Sequence, residues 1–274
     1  MYMYMIIFIA LIANLFNPVQ AAQTKPEKGT LNLSEKKLEE LFTGPGQELE
    51  GSLLIKEIGK DNSLVFNEKM TEKMLSPCST FKIFNSLAAL ESGVAKDENA
   101  SRKWKGIKYS IKAWNRDHTL QSAVTNSVVW YFKEVAAEVG EKRMKQYLKN
   151  CRYGNEDISS GLTNFWLNKS LKINSRQQVA FISALVKDEL PFSKRNTAIV
   201  RGMIRAQQTN KGTLYGKTGT DIKDGKLVLG WYVGYLVRPG AVYAFATNLE
   251  GKENASGAQA KKITESVLSQ MDLL

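Results

Sequence analysis

Strand-like segments at both ends of the chain enclose a long helical middle, and this order restricts the possible folds more than any other feature. Near the N-terminus, a hairpin is predicted from a strand at 51–58 and a shorter strand at 64–66. Three further strands are predicted late in the chain, at 214–219, 228–237 and 241–247. The early hairpin and the late strands are expected to share one sheet, which would be mainly antiparallel.

Helices are predicted on either side of these strands and between them. A short helix is expected at 33–42, and the region from Leu87 to about Asp188 is expected to be mostly helical, with breaks near 153–161. The chain should end in a helix, because its last part carries an apolar stripe at helical spacing, formed by Ala260, Ile263, Val267, Leu268 and Met271.

Together these elements predict an α+β (mixed α/β) fold. A mainly antiparallel sheet is flanked by N- and C-terminal helices and carries an inserted all-helical subdomain. The sheet lobe is expected to comprise about 24–75 and 193–274, and the helical lobe about 76–192. A cleft between two such lobes is the natural place for a functional site.

The first 21 residues differ in composition from the rest of the chain. Residues 1–16 carry no charged side chain, and Val19 and Ala21 are small residues at the positions that a signal peptidase requires. Because the apolar run is shorter than the ~20 residues of a membrane span, we expect a signal peptide at 1–21 and a mature, periplasmic domain at 22–274 with no stable membrane span. The segment offers no Lys or Arg for a basic start, so a retained membrane anchor is the alternative.

The chain is strongly basic, with a formal net charge of +11. Its lysines are spread along the sequence and mixed with acidic residues, as in Glu141-Lys142-Arg143, which indicates solvated surface and not a nucleic-acid site. The positive field is nevertheless expected to attract anionic small substrates.

Several kinds of site are disfavoured by the residues present. His118 is the only histidine, and no serine is marked as its partner in a Ser-His-Asp triad. Neither H-E-x-x-H nor clustered Cys and His occurs, so no metal is expected. Cys78 and Cys151 are expected to be free, buried thiols, with a disulfide as the alternative in an exported chain.

One predicted helix start offers a nucleophile and a base. Ser76 is a good N-cap and Pro77 a good first helical residue, which places Ser79 where its backbone N–H has no intrahelical partner. Such an N–H, at a positive helix end, can serve an oxyanion hole. Lys82 follows on nearly the same face, and apolar neighbours such as Phe81 would lower the pKa of its amine enough for it to act as a base.

The spacing S-x-x-K is weak evidence by itself, because it also occurs at Ser34–Lys37 on a charged helix. The accompanying motifs decide the interpretation. Lys217-Thr218-Gly219 lies on a predicted strand, and S-x-x-K with K-T-G is typical of β-lactamases and penicillin-binding proteins. The further motifs, in chain order, are Ser127-Val128-Val129 before Trp130, Tyr153-Gly154-Asn155, Phe165-Trp166-Leu167 and Gly230-Trp231-Tyr232-Val233-Gly234.

This set of motifs resembles the class D serine β-lactamases, the oxacillinases, over about 52–268. The resemblance implies the serine β-lactamase/penicillin-binding transpeptidase fold, a β-lactam substrate such as a penicillin, and antibiotic resistance. It implies that Ser79 attacks the β-lactam carbonyl and that Lys82, carboxylated by CO2, is the general base in acylation and deacylation. No other cofactor is expected, and the oligomeric state, monomer or homodimer, is left open.

The remaining site residues also take their roles from the resemblance. Trp166 would donate its indole N–H to the carbamate, with a plain core role as the alternative, and Val129 would keep the lysine in apolar surroundings. Ser127 would relay a proton to the leaving nitrogen. The substrate carboxylate would be bound by Lys217 and Thr218, next to Gly219, and the N–H groups of Ser79 and Thr220 would form the oxyanion hole. Tyr153-Gly154-Asn155 would either have a role of this kind or only form a turn that shapes the cleft.

One departure weakens the substrate assignment. Many relatives carry an arginine on or near the C-terminal helix for the substrate carboxylate, but the last arginine here is Arg238, which leaves Lys261 as a further candidate. Three rival functions stay open: a β-lactam sensor that is acylated without turnover, a cell-wall D,D-peptidase, and a basic binding module for an anionic polymer. Val129 in place of Asn, and Trp166 after Tyr-Gly-Asn, disfavour the peptidase.

Overall fold

A six-stranded antiparallel sheet forms the centre of the molecule. The computed structural model describes residues 31–43 and 49–274, so the predicted signal peptide lies outside the described residues. The strands are β1 (Leu49–Glu57), β2 (Ser63–Phe66), β3 (Ser101–Arg102), β4 (His118–Thr119), β5 (Arg205–Gln208), β6 (Thr213–Lys223), β7 (Lys226–Arg238) and β8 (Ala241–Gly251). The order in the main sheet is β2-β1-β8-β7-β6-β5, and β3 pairs with β4 separately. The early hairpin and the late strands therefore share one sheet, as predicted.

Nine α-helices surround this sheet in the described part of the chain. They are α1 (Glu35–Phe42), α2 (Glu68–Thr71), α3 (Lys82–Glu91), α4 (Leu120–Thr125), α5 (Val129–Val139), α6 (Glu141–Cys151), α7 (Ser175–Val186), α8 (Lys194–Met203) and α9 (Gly257–Gln270). Two short 3₁₀ turns, Cys78–Phe81 and Lys112–Trp114, complete the regular structure.

The sheet is buried on both faces, which explains the long apolar run in β7. On one face, Leu53 and Phe245 pack with α1 and α9, where Ile263 and Val267 of the predicted apolar stripe are buried. On the other face, the aliphatic and aromatic residues of β7 join the core of the helical part. Strand register assigns β6 residues to these faces: Thr218 pairs with Tyr232 and Lys217 with Val233, so Lys217 faces the helical part.

The middle of the chain is less helical than predicted. Residues 92–119 contain only β3, β4 and a 3₁₀ turn, and the non-helical break near 153–161 extends over 152–174. Left-handed backbone at Gly93 and Gly106 interrupts any helix in the first of these segments. The expectation of mostly helical structure there is wrong, because turn-forming residues outweigh the scattered apolar ones.

Helix α7 lies within the range predicted for the helical lobe but packs on the sheet, against β1 and β8. A buried polar cluster joins it to these strands. Ser52 Oγ lies 3.1 Å from Ser175 Oγ, and Asn248 Nδ2 donates to the same oxygen at 3.0 Å. This contact holds the helical part against the sheet on the side that carries the candidate site.

Two further expectations concern the whole described chain. Cys78 and Cys151 are free, as predicted, although only Cys78 is fully buried. Within 31–43 and 49–274, no helix combines the length and apolar character that crossing a membrane requires.

Candidate active site

The candidate nucleophile Ser79 lies in a 3₁₀ turn, called the nucleophile turn below, and not at the third position of an α-helix. The turn spans Cys78–Phe81, and α3 begins at Lys82. The predicted cap at Ser76 is wrong: its hydroxyl donates to Trp166 O at 2.9 Å and accepts from the N–H of Asn168 at 2.8 Å. The side chain is therefore engaged by the loop that carries Trp166, and the backbone of Cys78, at φ 49°, turns the chain sharply before the nucleophile.

Ser79 and Lys82 are in direct contact, as the spacing predicted. A hydrogen bond of 2.8 Å joins Lys82 Nζ to Ser79 Oγ. The second S-x-x-K of the chain shows what this contact requires, because Ser34 and Lys37 both lie exposed at the start of the sheet-flanking helix α1. Only the first pair combines the spacing with burial.

The environment of Lys82 disfavours its charged form. The side chain is completely buried, and burial is the main reason why the pKa of its amine lies well below the ordinary value of 10.5. The positive charge of Lys217 lowers this pKa further, while the thiol of Cys78 acts weakly in the opposite direction. In the described part of the chain, Lys82 forms no ion pair that would restore the charge. An uncharged amine next to Ser79 is a group that can accept its proton.

The ring of Phe132 lies over this amine, with its centroid 5.5 Å from Lys82 Nζ. Sequence reasoning missed Phe132 and selected Val129, which begins α5 and is only half-buried. The two residues are three apart and so share one face of the helix. The spacing of three residues could have indicated Phe132, because Val129 at the start of the same helix had already been selected from the sequence.

Ser127 and Lys217 form a second polar pair on the other side of the cleft. Lys217 Nζ donates to Ser127 Oγ at 2.5 Å and to Thr218 O at 3.0 Å. Lys217 is buried, and burial lowers the pKa of its amine to about 8. Ser127 has a left-handed backbone, at φ 54°, immediately before α5. The two motifs that supply these residues, 90 positions apart in sequence, meet at one point.

Strand β6 runs unusually close to the nucleophile turn, and Gly219 permits the approach. A Cβ atom at this position would lie 3.0 Å from Pro77 O and 3.3 Å from Cys78 Cβ. The third residue of the K-T-G motif is therefore a glycine because a side chain would push the strand away from Ser79.

The backbone of this strand is suited to an oxyanion hole. Gly216 donates its N–H to Ile204 O at 2.8 Å, on the edge of β6 that faces away from β7. Because backbone groups alternate between the two edges of a strand, Thr218 and Thr220 direct their N–H groups to the same edge. Within the described part of the chain, the N–H of Ser79 also has no backbone acceptor. The backbone N–H groups of Ser79 and Thr220 are thus candidate donors where β6 meets the turn that carries Ser79.

Trp166 is fully buried behind the Cys78–Phe81 turn, where its ring stacks on Phe81 with 5.5 Å between centroids. Among residues 31–43 and 49–274, its indole N–H has no hydrogen-bond partner. The comparable indole of Trp231, also fully buried, donates to Ser76 O at 2.9 Å. A buried donor without an acceptor is costly and marks a place where a polar group can bind.

The Tyr153-Gly154-Asn155 segment orders the loop that carries Trp166. Asn155 accepts from the N–H of Lys172 and donates to Ser170 O, both at 2.9 Å. Gly154 has a φ of 59°, and a Cβ there would lie 2.0 Å from Lys172 O. These contacts favour the structural interpretation of this motif, since none of them reaches Ser79.

A cavity of about 270 Å³ adjoins the K-T-G strand and extends the site beyond Ser127. Lys217 and Thr218 line it, and so does Lys261 of α9, the candidate replacement for the missing arginine. The fold thus brings together the residues that the sequence analysis selected for a substrate carboxylate. In the described ranges, no group of three His, Cys, Asp or Glu side chains is arranged to hold a metal ion.

Comparison with known proteins agrees with this site. The model of the penicillin binding protein transpeptidase domain matches residues 23–269. The chain is 39% identical to a probable β-lactamase, YbxI, from Bacillus subtilis, over 93% of this chain and 92% of the relative. It is 38% identical to the crystal structure of a class D β-lactamase from Bacillus subtilis, with a TM-score of 0.81 over 89% of this chain and 99% of that one.

A penicillin-receptor domain is as similar to this chain in fold as the β-lactamase structure is. The C-terminal domain of the BlaR penicillin-receptor from Bacillus licheniformis is 31% identical, with a TM-score of 0.82 over 90% of this chain and 99% of that domain. The receptor domain and the enzymes share one fold, and sequence identity alone does not separate the two kinds of relative. From the family match, the extent of the similarity and the geometry around Ser79, the chain belongs to the class D serine β-lactamases, hydrolases with the penicillin-binding transpeptidase fold.

Proposed function

We propose that this protein hydrolyses the amide bond of penicillins through an acyl-enzyme on Ser79, and that Lys82, carboxylated by CO2, is the general base. The observation that carries the proposal is the 2.8 Å contact between Ser79 Oγ and a fully buried Lys82. Hydrolysis of this kind would confer β-lactam resistance.

The surroundings of Lys82 fit a carbamate. Capture of CO2 requires an uncharged amine, which burial favours, and the unpartnered indole N–H of Trp166 offers a donor for a carbamate oxygen. When present, the carbamate supplies an anionic base next to Ser79 for both acylation and deacylation. Trp166 would hold that group in one orientation, and Phe132 would exclude bulk water from it.

The other residues act on the substrate. Lys217 and Thr218 bind its carboxylate, and Ser127, held by Lys217 at 2.5 Å, passes a proton to the leaving nitrogen. The N–H groups of Ser79 and Thr220 stabilise the oxyanion that forms when Ser79 Oγ attacks the carbonyl carbon. The low pKa of Lys217, about 8, makes proton exchange with Ser127 feasible near neutral pH.

The place of action is also a proposal. The predicted processing of residues 1–21 would release an exported enzyme into the periplasm as a monomer or a homodimer. The net charge of +11 would favour the approach of anionic penicillins there.

A time course with benzylpenicillin tests the function. Intact mass and ring opening are followed together in the purified protein, with Ser79→Ala as control. Fast ring opening with a transient adduct, absent in Ser79→Ala, is the expected result. The similarity to a penicillin-receptor domain makes a sensor the second candidate, and a persistent adduct without turnover would decide for it. Absence of both adduct and ring opening would refute covalent chemistry altogether.

A further inference from the structure

A buried chain of hydrogen bonds lies behind the nucleophile turn and takes no part in the proposed chemistry. Gln178 of α7 donates a side-chain N–H to Thr80 Oγ1 at 3.0 Å, and Thr80 Oγ1 donates to Pro77 O at 2.7 Å. The side chains of Gln178 and Thr80 are each only 1% exposed. These bonds, called the Gln178–Thr80 chain below, join a helix that packs on the sheet to the turn that carries Ser79.

The hydroxyl of Thr80 is fully used in this arrangement. A threonine hydroxyl has one hydrogen atom, and Thr80 gives it to Pro77 O while its oxygen accepts from Gln178. The hydroxyl of Tyr153 lies close enough to interact with both Thr80 and Gln178. Because a buried polar group without a partner is costly, these contacts fix the orientation of the Thr80 side chain.

The bond from Thr80 closes over a strained residue. Cys78 has a left-handed backbone, at φ 49°, which residues other than glycine adopt only when their surroundings impose it. The backbone N–H of Thr80 also donates to Pro77 O, at 3.1 Å. Two hydrogen bonds from one residue therefore span Cys78 and Ser79 and hold the turn in this conformation.

The other end of the Gln178–Thr80 chain is fixed to the sheet. Ser175, the first residue of α7, contacts Ser52 of β1 at 3.1 Å and Asn248 of β8 at 3.0 Å. Gln178 lies three residues further along the helix and so on the same face. The sheet also carries the N–H of Thr220, so α7 keeps the nucleophile turn aligned with a candidate oxyanion donor.

We propose that Gln178 and Thr80 are positioning residues, which hold the nucleophile turn so that Ser79 Oγ stays 2.8 Å from Lys82 Nζ. This inference rests on the proposed function and adds two residues to it. Because both side chains are buried, neither contacts the substrate. Loss of the Gln178–Thr80 chain should therefore slow the attack by Ser79 without weakening substrate binding.

Thr80→Val tests this role, because valine has nearly the shape of threonine but lacks the hydroxyl, whereas Thr80→Ser keeps it. Thr264→Val is the matched control, since Thr264 of α9 is also fully buried and donates to a backbone carbonyl, Ala260 O, at 2.9 Å. Single-turnover acylation by benzylpenicillin, followed by intact mass, gives the maximal rate and the concentration for half-maximal rate. We expect Thr80→Val to lower the maximal rate about 10-fold at an unchanged half-maximal concentration. Thr80→Ser and Thr264→Val should behave as wild type.

Gln178→Met keeps the test decisive if Thr80→Val folds poorly, because it removes the donor from α7 and leaves Thr80 intact. We expect it to slow acylation about 3-fold, less than Thr80→Val, since the bond to Pro77 O remains. The double variant should be no slower than Thr80→Val alone, because both changes act through one hydrogen bond. Effects that multiply in the double variant would show two independent disturbances and would contradict the proposal.

The remaining outcomes separate this role from the proposed function. If wild type is acylated but Thr80→Val and Gln178→Met keep its maximal rate, the positioning role is overturned and the proposed function stands. Equal slowing in Thr80→Val and Thr264→Val would also overturn it, since a general loss of stability would then explain both. If wild type neither opens the ring nor forms an adduct, the proposed function fails and the positioning role fails with it.

Discussion

At the residue scale, burial distinguishes Lys82 and Lys217 from the exposed lysines of a basic chain. The same S-x-x-K spacing occurs twice, yet only Lys82 is withdrawn from water, beneath Phe132 and next to Ser79. Desolvation lowers its pKa and so favours the uncharged amine that the proposed base role requires. The chemistry of the site therefore depends on the core around the lysine as much as on the lysine itself.

Lys82→Ala should acylate slowly and should not deacylate. Loss of a positioned base typically reduces a rate by about 100- to 10,000-fold, so the variant should accumulate a lasting benzylpenicillin adduct. Intact mass over time is the measurement, and Lys37→Ala, in the exposed S-x-x-K, is the matched control that should behave as wild type. Full turnover by Lys82→Ala would show that the base is a different group.

Lowering the pH should reduce activity, because protonation of Lys82 removes the uncharged amine. The direction follows from a pKa that burial lowers well below 10.5, which enlarges the uncharged fraction of the amine, and this fraction falls as the pH is lowered. We expect kcat/KM for benzylpenicillin to fall as the pH is lowered below neutrality, and added bicarbonate to recover part of the loss. A flat profile through the acidic range would contradict this role for Lys82.

Two buried tryptophans provide a matched pair for testing the carbamate. Trp166→Phe removes an N–H with no partner, whereas Trp231→Phe removes one that donates to Ser76 O. We expect Trp166→Phe to require more bicarbonate for full activity. Its stability should fall only by the packing that the smaller ring loses.

Trp231→Phe should lower the free energy of unfolding by about 1–3 kcal/mol more than Trp166→Phe does, because it leaves the buried carbonyl of Ser76 without its donor. Its response to bicarbonate should match that of wild type. Activity titrated with bicarbonate and denaturant unfolding are the two measurements. Identical bicarbonate titrations for the two variants would remove the support that Trp166 gives to the carbamate.

At the element scale, the site depends on how closely β6 lies against the 3₁₀ turn that carries Ser79. Gly219 makes this contact possible, since a side chain there would meet Pro77 O. The strand could be predicted from the sequence, and so could the importance of a small residue in it. The 3₁₀ turn could not, because Ser76 and Pro77 have good capping propensity, and the contact between Ser76 and the Trp166 loop overrides it.

Gly219→Ala should reduce kcat/KM for benzylpenicillin by about 10-fold, because an added methyl group would shift β6 and its N–H donors by a few tenths of an ångström, less than the ~1 Å displacement that costs about 100-fold. Gly202→Ala is the control, since in the described part of the chain nothing beyond its own helix and chain neighbours lies within 4 Å of a Cβ at that position of α8. The control should keep its activity and gain about 0.5–1 kcal/mol of stability. Wild-type activity in Gly219→Ala would show that the strand tolerates displacement.

At the scale of the whole molecule, the active site lowers the stability of the fold. Burial depresses the pKa of Lys217 from 10.5 to about 8, so the folded protein must bury a charge whenever the pH is below about 8. The unfolded chain binds this proton more tightly, and stability should therefore rise as the pH increases from about 8 towards 10.5. A pKa difference of this size corresponds to about 3 kcal/mol at neutral pH.

Lys217→Met should accordingly be inactive but more stable than wild type. We expect a gain of about 1–3 kcal/mol in the free energy of unfolding at pH 7, reduced from the full value because hydrogen bonds to Ser127 and Thr218 are lost. The gain should shrink above pH 8, where the wild-type lysine becomes neutral in the folded state. Urea unfolding of both proteins at pH 7 and pH 9.5 measures the difference, and a larger gain at the higher pH would reverse the sign argued here.

Local chemistry along the chain was sufficient to predict the sheet, the terminal helices and the contact between Ser79 and Lys82, because apolar periodicity and motif spacing act over short distances. Tertiary packing decided the rest. It placed Ser127 against Lys217 and set Phe132 over the amine of Lys82. These contacts join residues far apart in sequence, and burial, which sets their pKa values, exists only once the chain has folded.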